Sequence, residues 1–531
     1  MNFDGLTIAG DISVDEQDLA SRSRDASIFS VRPQAVVYPK DSSDIEKLVK
    51  WVGEQKSTHP KLSVTARAAG TDMTGGPLSE SIILDTTKYL NHIIEVGGDY
   101  AITQPGVYYR DFEKTVAEKG LLFPSYPASK EICAMGGIVN NNSGGEKTLS
   151  YGQTERYVRG MRMILSDGNE YEFKSLNTQE LESKKSQENF EGQVYRELYD
   201  LINRHYDIIT KAKPDVSKNS AGYYLWNVWD KSAGTFDMTK LFVGAQGTLG
   251  IMAQATIGLV KPKKYSKLLI MFLKNLAPLG ELVNKVLKYK PETFECYDDQ
   301  TLKIAIEFLP QIAQQPKDDM PKLVLIVEFT SDDEADASSR LEAAKADVQK
   351  FKMVQTHTVH DVAEGERYWT IRRESFNMLR HHAGVKHTAP FIDDVIVHPL
   401  QLPQFLPKLN ELISQYKGLT YTVAGHAGDA NFHVIPLMDF HDEANRKAIP
   451  ELSEKVYDLV ASMHGSITAE HNDGLIRTPY LPKMYSPEII ELFKKTKEIF
   501  DPQNIFNPGK KVPSTGSVSA LDYALSHVIK E

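Results

Sequence analysis

Apolar residues recur along this chain with two different periods, and the changes of period mark its elements. Val36-Val37-Tyr38-Pro39, Leu62-Ser63-Val64-Thr65-Ala66 and Ser81-Ile82-Ile83-Leu84-Asp85 are short runs rich in β-branched residues, and each predicts a strand. Between the first two, Ile45, Leu48, Val49 and Val52 fall at helical spacing behind Ser43 and Asp44. This predicts a capped amphipathic helix over Ser43–Val52. Strand, helix and strand in succession indicate an α/β or α+β layer. The polar run Asn177–Glu191 predicts a surface helical excursion. After Pro262 the pattern becomes βαβ-like, with strands over Lys267–Phe272 and Lys322–Phe329 and helices over Leu276–Tyr289 and Asp333–Lys350. A domain boundary therefore falls near Lys261-Pro262-Lys263-Lys264. Ser519–Ile529 has helical apolar spacing and predicts a helix packed on its own domain, docking on a membrane or partner being the alternative use.

At 531 residues the chain exceeds one core and predicts two domains. Its net charge of −10 argues against a protein built to embrace nucleic acid. Two cysteines, Cys133 and Cys296, make neither a disulfide framework nor a cysteine-ligated cluster, and read as buried thiols in a reducing cytosol. Met1–Gly5 does not open a secretory signal, and no apolar run is long enough to cross a bilayer. The expected location is cytoplasmic, with peripheral contact to the inner face of a membrane left open.

Three glycine-rich segments carry the first chemical signal: Arg67–Gly76, Met135–Gly145 and Gly244–Ile251. Glycines permit positive φ and close backbone approach, so successive N–H groups can point at an anion. None is a P-loop or a G-x-G-x-x-G turn, and each alone is only a turn. Three in one half of the chain point to an extended diphosphate-bearing cofactor. The second signal is Gly425-His426-Ala427-Gly428-Asp429-Ala430-Asn431-Phe432-His433, followed by Ala469-Glu470-His471-Asn472-Asp473-Gly474. An unbroken strand would turn His426 and His433 to opposite faces, and the glycines disfavour a helix. Their flanks read as strands, so a strand–loop–strand unit would bring both imidazoles together as candidate metal ligands. The Asp393-Asp394 pair also invites a metal reading. It more simply begins a strand at Val395-Ile396-Val397 and meets nearby basic residues.

In combination and in order, several motifs resemble the vanillyl-alcohol oxidase superfamily. Pro33–Pro39, the Arg67–Gly76 loop, Gly136-Gly137 and Asn140–Gly145 resemble its FAD-binding domain. Gln246–Ile251, Phe500–Gly509 and the two histidine motifs resemble its D-2-hydroxy-acid dehydrogenase branch, which includes D-lactate dehydrogenases, the glycolate oxidase flavin subunit and D-2-hydroxyglutarate dehydrogenase. The resemblance runs from about residue 25 to 512. It implies an α+β fold: a two-subdomain FAD-binding domain (1–262), a cap domain built on an antiparallel sheet with helices (263–460), and a C-terminal segment (461–531) returning to the flavin domain. It implies FAD held by Arg67, Ala68, Ala69, Gly70, Thr71, Asp72, Thr74 and Gly75. Gly136, Gly137, Asn140, Asn141, Ser143, Gly144, Gly247, Thr248, Gly250, Ile251 and Asn507 complete that site. Relatives that bind FAD covalently carry a histidine in or near the first loop, and this chain has none there, so non-covalent FAD is expected.

His426, His433 and Glu470 form a three-ligand set that leaves coordination positions open, with zinc as the family-based expectation. Oxidation of a 2-hydroxy acid needs a cation to acidify the hydroxyl and a base to take its proton. His471 is the expected base, a fourth ligand being its alternative. Trp369-Thr370-Ile371-Arg372 resembles the family's Trp-x-x-Arg motif, which puts Arg372 on the substrate carboxylate with Arg373 as fallback. Lys386 resembles a family lysine that helps hold the acid, although His387-Thr388-Ala389-Pro390 departs from the hydroxyglutarate pattern. The expected reaction is FAD- and metal-dependent oxidation of a small D-2-hydroxy acid such as D-lactate, with an unidentified electron acceptor and oligomeric state open. The rivals are another flavin oxidase of the superfamily, for an aryl alcohol or sugar lactone, and a metal-dependent hydrolase whose glycine loops are merely turns.

Overall fold

The computed structural model describes residues 3–309, 320–352, 354–382, 386–416, 419–513 and 518–530, and among these the strands form three sheets. The first has four strands in the order Asp11–Ser13, Ala35–Tyr38, Ile82–Asp85, Val64–Arg67, the last three mutually parallel. Ala35–Tyr38 and Ile82–Asp85 are buried at every residue, as parallel strands covered on both faces must be. The predicted helix runs over Ser42–Gln55, capped by Asp41, whose side chain accepts the Asp44 N–H. Its buried Ile45, Leu48, Val49 and Val52 pack with Val37, Val64, Ile82 and Leu84.

The second sheet is antiparallel and seven-stranded, centred on Val158–Ile164 and Ile251–Gly258. The polar run forms helix Thr178–Lys185 on its flank, where Asn177 and Glu180 make a reciprocal capping box and only Leu181 is buried.

The third sheet holds eight strands, and those read as βαβ-like pair antiparallel. Tyr265–Leu273 and Thr293–Asp298 both flank Leu323–Ser331 antiparallel, so the first two run parallel with the third between them, a split βαβ arrangement. Continuous apolar runs follow because both faces are covered. Leu269, Met271, Leu325 and Val327 face helices Leu279–Leu287 and Glu334–Val348, while Leu268, Ile270, Val324 and Ile326 face helices Asp299–Phe308 and Val362–His382.

After the third sheet the chain returns. Helix Pro487–Phe500 buries Ile489, Leu492 and Phe493 in the core of the second sheet, and Phe506 bridges to Val64 at the edge of the first. The terminal helix Ala520–Ser526 packs on the chain itself: Val528 bridges Phe29, and the Ile529 N–H donates to Ile28 O. Among the described residues no helix is long and apolar enough to cross a membrane. Cys133 and Cys296 are buried and free.

Candidate active site

Strands Thr420–His426 and Asn431–Met438 pair with Ala424 opposite His433 and His426 opposite Asn431. His426 and His433 are therefore diagonal neighbours on one face, with ring centroids 5.3 Å apart. Tyr297 pairs with Ala424 on the next strand, so Glu295, two residues from Tyr297, shares that face beside His426. This face looks toward helix Val362–His382, which carries Arg372 and Arg373.

Glu470 and His471 arrive from the irregular segment that follows helix Glu443–Ser462. Asp394 anchors it: its Oδ2 accepts the N–H groups of Glu470 and His471 at 2.8 and 2.7 Å and the Thr468 hydroxyl at 2.8 Å. Three imidazoles then converge on Glu470 Oε1, with Nε2 of His426, His433 and His471 at 2.9, 3.4 and 3.9 Å. Each turns its other nitrogen to a carboxylate. His426 Nδ1 meets Glu295 Oε1 at 2.6 Å, His433 Nδ1 meets Asp393 Oδ1 at 3.0 Å, and His471 Nδ1 meets Asp393 Oδ2 at 2.6 Å. Carboxylates on Nδ1 that leave Nε2 free are the usual support of metal-binding histidines, so the donor set fits a divalent cation. Asp394 also lies within 4.8 Å of ligand atoms of His433, Glu470 and His471. Its Oδ2 is already engaged three times and its Oδ1 accepts Asn431 Nδ2, so it serves as an anchor rather than a ligand.

Burial opposes charge on all three imidazoles, yet the carboxylates outweigh it and each titrates above its ordinary value: Glu295 and Glu470 act on His426, Asp393 on His433 and His471. Glu470 stays well below the usual carboxylate range despite burial, held there by His426 and Lys218. His471 is the most accessible of the three, its side chain 20% exposed against 4% and 9% for His426 and His433. That suits a proton acceptor facing a substrate.

A single cavity of about 870 Å³ joins this cluster to the glycine-rich loops. All six residues from Arg67 to Asp72 line it, as do Gly136, Gly137, Asn140, Asn141, Ser143, Gly144, Gly247 and Gly250. Arg67 Nη1 and Asn141 Oδ1 are buried with no partner, which fits a polar ligand such as FAD. Gly70 (φ +72°) has Arg67 folded across it, where a Cβ would lie 2.1 Å from Nη2. Gly136 lets its helix start against Pro105, whose carbonyl O would sit 2.8 Å from a Cβ.

Five predicted cofactor residues stand behind the wall instead of on it. The N–H of Thr74 goes to Asp72 Oδ1 and that of Gly75 to Asp25 Oδ2. Thr248 pairs with Tyr223, Ile251 lies in the core, and Asn507 Nδ2 ties Gly76 O to Gln246 O. Carboxylates thus take up the distal amides of the first loop, leaving its Arg67–Asp72 stretch to face the cavity.

The structure separates the two arginines. Arg372 is buried, with Nε and Nη2 both 2.9 Å from Glu295 Oε2. Arg373 makes a two-pronged pair with Glu146 at 3.0 and 2.8 Å and lies over the Trp369 ring. Lys386 is not brought to the cluster. It precedes strand His387–Thr388, whose His387 pairs with Met438, five residues (about 17 Å) along the strand from His433. Asp393 and Asp394 do precede a strand, Val395–Ile396, but they also orient the site, which their sequence position did not disclose. Glu295 and Lys218 went unread as well. Glu295 left one trace, a charge inside the otherwise core-like run Thr293–Tyr297.

The fold is of the vanillyl-alcohol oxidase type. The solved 4-ethylphenol oxidase from Gulosibacter chungangensis superposes with a TM-score of 0.69 over 95% of this chain and 94% of its own, at 14% identity. A family model described as "FAD binding domain" matches residues 33–174, and one described as "FAD linked oxidases, C-terminal domain" matches residues 262–511. Together with the curated relatives, these matches are consistent with the D-2-hydroxy-acid dehydrogenase branch of that superfamily. It is 27% identical over 522 residues to a D-2-hydroxyglutarate dehydrogenase of Pseudomonas putida, covering 96% of this chain and 51% of that protein. Identity is also 27% over 492 residues to a glycolate oxidase subunit of Bacillus subtilis, covering 91% and 89%. The chain spans about half the length of the first curated relatives it matches.

Proposed function

We propose that this protein oxidises a small D-2-hydroxy acid, D-lactate or a close analogue, to the 2-oxo acid, using non-covalently bound FAD and a divalent cation, zinc first. The observation that carries this reading is the continuous cavity that runs from the glycine-rich loops to the imidazole cluster. FAD supplies a two-electron acceptor that no side chain can provide. The cation, held by His426, His433 and Glu470, supplies a Lewis acid for the hydroxyl.

The chain's own residues do the rest. Arg372 engages Glu295 through Nε and Nη2, leaving Nη1 for a substrate carboxylate. Glu295 bridges that arginine to His426, so the acid's anchor and a metal ligand share one support. His471 takes the hydroxyl proton at Nε2 while Asp393 holds its Nδ1. A hydrolase that used this cluster without a flavin would leave the match to an FAD-binding domain unexplained.

Anaerobic titration with D- and L-lactate, glycolate and D-2-hydroxyglutarate, followed by flavin absorbance, tests the reading. D-acids should bleach the flavin, EDTA should abolish bleaching, and added Zn²⁺ should restore it. Bleaching by L-acids alone would refute the substrate class, and bleaching indifferent to EDTA would refute the metal.

A further inference from the structure

Lys218 is fully buried, with its ammonium 3.0 Å from Glu470 Oε2, 3.5 Å from Asp429 Oδ2 and 3.5 Å from Asn431 Oδ1. A buried ammonium persists only where partners repay its lost hydration, so the arrangement constrains those partners as firmly as they constrain it. The backbone delivers it rigidly. The Ser220 N–H donates to Thr468 O, the Ser220 hydroxyl to Ala469 O, and the Gly222 N–H to Asp473 Oδ2. Asn219 N–H is held by Gln153, and the Ser217 hydroxyl pins Asp429 at 2.6 Å. Segment 217–222 is thus bound along the stretch that carries Glu470.

The two oxygens of Glu470 consequently face different company. Oε1 looks toward the three imidazoles, and Oε2 toward Lys218. A carboxylate free at both oxygens can bind a cation with one or with two, and the second mode uses a position that a substrate hydroxyl would need. We infer that Lys218 is a positioning residue that occupies Oε2 of Glu470, restricting this ligand to one oxygen and keeping a coordination position for the substrate. The inference rests on the metal reading proposed above.

The full chain, stripped with chelator and reloaded with Co²⁺, provides the test, with crystal structures and visible spectra of wild type, Lys218→Arg and Lys218→Met. Wild type and Lys218→Arg should bind Co²⁺ through one Glu470 oxygen. Lys218→Met should bind through both, with a loss of visible Co²⁺ absorption as the coordination number rises. If Lys218→Met does not fold, the double variant Lys218→Met/Asp429→Asn, which removes one charge of each sign, takes its place. One-oxygen binding and an unchanged spectrum in the methionine variant overturn the role of Lys218. Wild-type protein that takes up no Co²⁺ overturns the metal site itself, a separate result.

Discussion

Asp393→Asn probes how the site keeps its imidazoles in their working protonation states. One carboxylate serves two rings, with Oδ1 3.0 Å from His433 Nδ1 and Oδ2 2.6 Å from His471 Nδ1. Those rings stack with centroids 4.8 Å apart and planes 13° from parallel, so neither can turn without the other. Asparagine offers a single acceptor oxygen. The ring that meets its NH₂ group must present a bare Nδ1 and carry its proton on Nε2. If that ring is His433, a proton covers the nitrogen that faces Glu470. If it is His471, the base meets substrate already protonated. Loss of such an outer support costs about 10–100-fold in metal affinity, and loss of a general base about 10²–10⁴-fold in rate. Volume is conserved and the Asp393 carbonyl keeps its bond from Arg477 Nη2, so the fold should survive. Stopped-flow reduction of the flavin by D-lactate and Zn²⁺ competition against a chelator read the two quantities on one preparation. At least one should fall by about tenfold or more, and both remaining within about twofold of wild type would refute the tautomer argument.

Glu295→Gln breaks the buried pair with Arg372 and should destabilise the protein by about 3–5 kcal/mol in urea unfolding, whereas a loss under about 1 kcal/mol would show that the pair is not desolvated in solution. Burial pushes the Asp298 carboxyl up to about 6, so the folded protein holds more protons than the unfolded chain between pH 4 and 6. Its stability therefore falls as pH rises through that window, and the deficit of Asp298→Asn relative to wild type should narrow by about 2–3 kcal/mol from pH 4 to pH 6.5. A widening gap would contradict the assignment. Gly136→Ala, whose Cβ would press on Pro105 at 2.7–2.8 Å, should lower the ratio of flavin to protein absorbance after gel filtration, and full retention would show that the helix start can shift freely. Acid precipitation should leave the flavin in the supernatant, and a yellow pellet would establish a covalent bond.

Much of this protein was legible from local pattern. The run Ile45, Leu48, Val49, Val52 announced its helix, and the β-branched pairs Val36-Val37, Val64-Thr65 and Ile82-Ile83 announced a sheet, because period and propensity act over a few residues. The neck that holds His426 and His433 was legible for the same reason: two strands and a glycine-rich turn within nineteen residues leave one sensible hairpin. The cofactor loops could be named but not divided. Sequence made Thr74 and Gly75 equal to Gly70 and Thr71, and only packing showed Asp72 and Asp25 taking the amides of the former pair. Strand order after Pro262 was equally undecided, since a βαβ pattern does not say whether a third strand will be inserted between the first two.

What surrounds the imidazoles was decided by tertiary structure alone. Glu295 reaches His426 across 131 residues, Asp393 reaches His471 across 78, and Lys218 reaches Glu470 across 252. Along the chain each is an ordinary charged side chain that could as well face water. Each becomes an obligatory partner only when folding strips its hydration and leaves a few fixed counter-charges within reach. Periodicity tells a residue which way to point, but the dielectric it meets there is made by segments far away in the chain.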